Sequence, residues 1–141
     1  MMMATPTEPA TSEAAHLPSL IRALLADQSC YDHAVGDVRL IETHISWVLL
    51  TGEFAYKVKK PVDLGFLDFS TLELRQQACA DEARLNRRLA PEIYLGVVAI
   101  TGSQHAPRIN GPGAAIEYAV KMREFPPDAT LDRLDERGEL G

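Results

Sequence analysis

Residues 54 to 60 read FAYKVKK, three lysines in seven positions of a chain whose formal net charge is −6. A lysine on a strand can hold a phosphate, contact nucleic acid or face water, and side-chain alternation narrows the choice. Alternate residues of a strand share a face, so Ala55, Lys57 and Lys59 point one way and Phe54, Tyr56 and Val58 the other. The second set is apolar and is expected to face the core. The first set puts a small residue two positions before a lysine. A flat ligand could lie over Ala55 with its phosphates reaching Lys57. Lys60 is expected to face away. The plain alternative is an edge strand whose solvated lysines block edge-to-edge pairing.

A second chemical clue lies further along. Residues 70 to 89 carry a helical pattern in which Leu72, Ala78, Cys79, Leu85 and Leu89 fall on one stripe, with Glu82 near its centre. Glu73 and Asp81 lie towards the edges or beyond. A carboxylate on an apolar stripe is costly unless it is paired, and an inward lysine of the neighbouring sheet is the evident partner. Arg75 or Asn86 of the same helix are the alternatives.

Those residues need a scaffold, and the surrounding sequence reads as α+β. A short amphipathic helix with Leu20, Ile21, Leu24 and Leu25 ends near Asp27, and SCYDHAVGD follows as a loop. VRLIETHI, WVLLTG and FAYKVKKPV read as three strands of an antiparallel meander, with Gly52-Glu53 as one turn and Pro61 and Gly65 as terminators. The long helix opens at Ser70, whose S-x-x-E relation to Glu73 is that of a capping box, and stops at Pro91. IYLGVVAI and AIEYAVKMREF supply two further strands around a Gly111-Pro112-Gly113 turn. The expected architecture is a five-stranded antiparallel sheet with one long packed helix. Residues 1–15 are expected to be disordered, and residues 126–141 to begin a further helix with Leu131 and Leu134 on one side.

Composition excludes several classes. At 141 residues with 46% hydrophobic content there is room for one core. The acidic balance argues against broad binding to nucleic acid or anionic membranes. Arg84, Arg87 and Arg88 suit a helix C-terminus, and Tyr56 and Phe54 are on the core face instead of interleaved for base stacking. Cys30 and Cys79 have no metal-type spacing and read as reduced thiols. No secretory leader and no run of ~18 apolar residues is visible, so a cytoplasmic protein is expected. Neither G-x-S-x-G nor a matching cysteine–histidine set points to nucleophilic catalysis.

Phe54-Ala55-Tyr56-Lys57 resembles the V-A-I-K strand of protein kinases, in which the lysine contacts the α- and β-phosphates of ATP and is held by a glutamate of the next helix. The order of elements is similar to that of a kinase N-terminal lobe. More narrowly, LIETHISWVLLTGEFAYKVKKPVDLGFLDFSTLELR, EARLNRRLAPEIYLGVVAIT and IEYAVKMREFP resemble a bacterial group of aminoglycoside phosphotransferase-like proteins. Those are often fused to a C-terminal P-loop ATP-binding domain. The resemblance implies a kinase-like lobe over residues 16–125 and a hinge exit with the start of a second lobe over 126–141. It implies Lys57 as the phosphate lysine, Glu82 as its partner, and Lys59 and then Lys60 as runners-up. It also implies Val48 and Ala55 sandwiching adenine, Met122 at the back of the pocket, and backbone hydrogen bonds from Arg123, Glu124 and Phe125. The partners implied are a nucleotide and, in the full-length protein, a small-molecule phosphoryl acceptor.

Two departures qualify that pattern. Thr43-His44-Ile45-Ser46-Trp47 stands where a glycine-rich loop is expected, with Ser46 and nearby amides as substitutes and His44 as a cap on the turn. The sequence also has no segment resembling H-x-D-x-x-x-x-N or D-F-G. Asp63 and Asp68 lie in the wrong lobe, and Asp132 and Asp135 in the final helix. Mg²⁺ is thus expected only with the missing lobe, and the chain alone is expected to be inactive. The competing expectation is a non-catalytic kinase-like interaction module.

Overall fold

The computed structural model describes residues 17–124. Phe125 and the expectations for residues 1–15 and 126–141, including Asp132 and Asp135, lie outside the described residues. Helix α1 (Ser19–Ala26) leads through one 3-10 turn (Gln28–Cys30) to the meander of β1 (Arg39–Glu42), β2 (Ser46–Leu50) and β3 (Phe54–Lys59). Helix α2 (Leu72–Leu89) follows, then β4 (Tyr94–Gly102), β5 (Pro107–Ile109) and β6 (Glu117–Arg123). The strands form one antiparallel sheet in the order β1-β2-β3-β6-β4-β5.

The α+β class is as expected, but the described sheet has six strands instead of five. The addition is β5, three residues opening on Pro107 and paired along the edge of β4. So short a segment carries no alternation to read, and proline is tolerated at the start of an edge strand. Its hairpin needs a glycine: Gly102 has φ +88°, and a Cβ there would meet the Ala106 carbonyl oxygen at 2.4 Å.

The sheet packs on both faces, and β3 shows why. Tyr56 and Val58 are fully buried in the main core with Leu49, Ile100 and Ala119 of the sheet and Leu20, Ile21 and Leu24 of α1. Burying one large apolar side chain stabilises by about 2–3 kcal/mol, so this side holds most of the apolar driving force. The opposite face carries a smaller cluster, in which Cys79 and Ala83 of α2 meet Val120, with Tyr94, Tyr118 and Met122 beside them. Cys30 and Cys79 are free thiols in the two different clusters. Burial pushes the Cys79 thiol up to about 11, which leaves it protonated and unreactive.

Helix α2 starts one residue later than the capping-box pattern suggests. Thr71 is the N-cap, its hydroxyl accepting from the Leu74 amide at 3.1 Å, while the Ser70 amide donates to Asp68. The packed face also differs from the leucine stripe. Cys79 and Ala83 are buried, whereas Leu85 is exposed and Leu89 is 86% exposed. The true face is rotated by roughly 60° from that stripe at the helical 100° per residue. The reason is chemical: the inner face of α2 carries Arg75 and Glu82, both held by charges on the sheet. Among the described residues, no helix is long and apolar enough to cross a membrane.

Candidate functional site

The pairing register puts Ser46 opposite Lys59, Val48 opposite Lys57 and Leu50 opposite Ala55. On the other side of β3, Ala55 stands opposite Met122 and Lys57 opposite Val120. Directly opposed residues of an antiparallel pair share a face, so these side chains lie on the α2 side of the sheet. Ala55 is buried, and Val48 and Met122 are half-buried. Val48 and Ala55 are thus diagonal neighbours on one wall. They could cover one side of a flat ligand.

Glu82 reaches this face from α2 and accepts two lysines. Lys57 Nζ donates to Glu82 Oε2 at 2.7 Å, and Lys59 Nζ donates to Glu82 Oε1. The lysines differ in depth: the Lys57 side chain keeps 27% of its surface exposed, the Lys59 side chain only 7%. Lys59 also sits 5.4 Å from the centroid of the Phe69 ring, a favourable position for a cation. Burial works to raise the Glu82 pKa, but the hydrogen bonds and charges of the two lysines prevail and hold it below its usual value. The carboxylate is therefore ionised at neutral pH.

Lys59 is consequently the enclosed member of the pair. The ring of Phe69, the β2 neighbour Ser46 and the Glu82 carboxylate surround the Lys59 side chain, whereas Lys57, two residues earlier, stays partly exposed. Lys60 does face away, paired with Glu42 at 2.6 Å and lying 5.4 Å from the Trp47 ring centroid.

The loop between β1 and β2 is also organised differently from the expectation. Ser46 is buried, and its amide donates to the Thr43 hydroxyl at 3.0 Å, as the Ile45 amide does at 3.3 Å. Thr43, not His44, therefore caps the turn, and these two amides are engaged within it instead of free for a phosphate. At the far end of β6 the donors are engaged as well. The Arg123 amide donates to the Ile93 carbonyl at 2.7 Å and the Glu124 amide to the Glu53 carbonyl at 2.8 Å. The Glu124 carboxylate accepts from the Gly52 amide and from Arg39, tying β6 to the β2–β3 turn. The backbone amides of Arg123 and Glu124, two of the three residues expected to offer backbone hydrogen bonds, are thus engaged within the fold.

One more charged pair lies beneath α2. Arg75 Nε spans both oxygens of Glu117 at 3.0 and 3.1 Å, and Arg75 donates to the Phe69 carbonyl at 2.8 Å. This pair was not foreseen, though Arg75 stands seven residues before Glu82, two helical turns along the same side. Asp63 and Asp68 bridge each other across a tight loop and accept from the Gly65 and Ser70 amides. Among the described residues, no group of three or more His, Cys, Asp or Glu side chains is placed to hold a metal ion.

The chain thus defines an α+β protein with a lysine-rich, carboxylate-braced face on an antiparallel sheet. It is 45% identical over 102 residues to uncharacterized proteins of Mycobacterium tuberculosis and Mycobacterium bovis. The match covers 70% of this chain and 19% of the length of each relative. No family model and no solved structure matches the chain.

Proposed function

We propose that this chain is the nucleotide-binding, kinase-like N-terminal lobe of an ATP-dependent small-molecule phosphotransferase of the aminoglycoside phosphotransferase-like kind. The observation that carries this reading is the 2.7 Å pair between Lys57 on an inner strand and Glu82 on the following helix. It lies beside the small residue Ala55 and the half-buried Val48 and Met122. That donor set fits a nucleotide. Lys57 would hold the α- and β-phosphates while Glu82 fixes its ammonium, and Ala55 leaves space for the base. Phosphoryl transfer also needs an aspartate and Mg²⁺ ligands, for which the described residues offer no cluster. In this reading the lobe binds and orients the nucleotide, and catalysis draws on residues supplied from elsewhere.

Thermal unfolding of the chain with and without ATP or ADP tests this. Ligand at about 100 Kd stabilises a fold by about 2.7 kcal/mol, so the midpoint should rise on the order of 5 °C or more. Lys57→Met should abolish the rise. A midpoint indifferent to nucleotide would instead support a non-catalytic interaction module. That second reading has its own observation in the exposed Phe66, Leu64, Leu85 and Leu89.

A further inference from the structure

Lys59 was the runner-up to Lys57 for the phosphate role, yet it is the more buried of two lysine side chains on one carboxylate. Ordinary pairing would match Glu82 with Lys57 and leave a neutral couple. Here two positive charges meet one negative charge, and the cluster keeps a net charge of +1. The other ions beneath α2 do not alter that balance, because Arg75 and Glu117 neutralise each other. Cys79, beside the cluster, stays protonated. Lys59 cannot deliver its charge to a ligand by contact, since Phe69 and Glu82 close over it. Its effect has to pass through Glu82.

We infer that Lys59 is a positioning residue that neutralises Glu82 from the buried side, so that the less enclosed ammonium of Lys57 is left electrostatically free for the phosphate chain of a nucleotide. The inference rests on the proposed nucleotide site and names what makes it anion-selective. When Lys57 turns from Glu82 towards a phosphate, Lys59 keeps the carboxylate compensated, and α2 stays docked. Without Lys59 the same movement would leave Glu82 unpaired beneath the helix. Lys57 would then be held by its carboxylate instead of offered to the ligand.

The test is isothermal titration of the full chain with ATP, ADP, adenosine and inorganic tripolyphosphate. Lys59→Met removes the charge at similar length, and Lys59→Arg keeps it. Lys59→Met is expected to weaken ATP and tripolyphosphate by about tenfold or more, ADP by less, and adenosine hardly at all. Lys59→Arg should restore the phosphate-dependent part. The double variant Lys59→Met/Glu82→Gln returns the site to a net charge of +1, and it should recover tripolyphosphate affinity relative to Lys59→Met. It also decides the matter if Lys59→Met alone folds poorly. Equal losses for adenosine and ATP, unchanged tripolyphosphate affinity, or no recovery in the double variant would each overturn the inference. If wild type binds tripolyphosphate with the Lys59 dependence but gains nothing from adenosine, the nucleotide reading fails while the role of Lys59 stands. If wild type binds neither, both fall.

Discussion

Two carboxylates lie between α2 and the sheet, Glu117 buried and Glu82 half-buried, and they are held in opposite ways. Glu82 projects from the helix to lysines on β3; Glu117 projects from β6 to an arginine on the helix. Glu82 has two cations, one of them partly exposed. Glu117 has one, which also donates to the Phe69 carbonyl, and it accepts from the Tyr118 amide as well. Burial outweighs the pull of Arg75 and raises the Glu117 pKa, whereas two lysines lower that of Glu82. An over-compensated carboxylate leaves charge to offer a ligand. An enclosed one-to-one pair leaves none, so Glu117–Arg75 is a clamp and Glu82–Lys57 the proposed site.

The comparison breaks hardest at the clamp. Arg75→Ala leaves Glu117 buried without a cation and the Phe69 carbonyl without its donor. It should destabilise the fold by about 3–5 kcal/mol in urea unfolding. Replacing both partners, as Arg75→Met/Glu117→Met, should return to within about 1 kcal/mol of wild type, since a buried pair mostly offsets its own desolvation. A double variant as unstable as Arg75→Ala would show that the pair gives more than mutual neutralisation.

Glu82 should tolerate loss better, because one of its partners has an exit. In Glu82→Ala the Lys57 ammonium can turn to water, and only the enclosed Lys59 remains unpaired. A cost of about 2–3 kcal/mol is expected, measured in the same urea experiment. A cost equal to that of Arg75→Ala would mean that Lys57 is as confined as Lys59, and the distinction between clamp and site would fail.

How far this contrast was visible in the sequence depended on which signal was local. Period-2 alternation put Lys57 on the face away from Tyr56 and Val58, and the helical period put Glu82 towards that face; both follow from backbone geometry. The meander and the ends of α1 were legible for the same reason. The orientation of α2 was not, because the leucine pattern points to the wrong side as the buried one. Here the charges mark it, and Leu85 and Leu89 face outward. The burial of Lys59 depends on the ring of Phe69, ten residues on and across a turn, and on how close α2 lies. No spacing rule gives that. The Arg75–Glu117 pair joins residues 42 apart and was equally hidden.

The two carboxylates should also separate by pH, in different windows. Glu82 has a folded pKa below its usual 4.5, so it stabilises fully above that value and the contribution is lost as pH falls through the lowered folded pKa. Glu117 has a folded pKa above 4.5, so its charged form opposes folding. Stability attributable to it rises as pH falls through that raised pKa and levels off near 4.5. Urea midpoints measured from pH 7 to pH 3 should therefore lose part of their decline below 4.5 in Glu82→Gln, while Glu117→Gln alters only the range above 4.5. If both variants change the same limb of the curve, the two carboxylates are not electrostatically distinct, and the excess charge assigned to the Lys57 face has no basis.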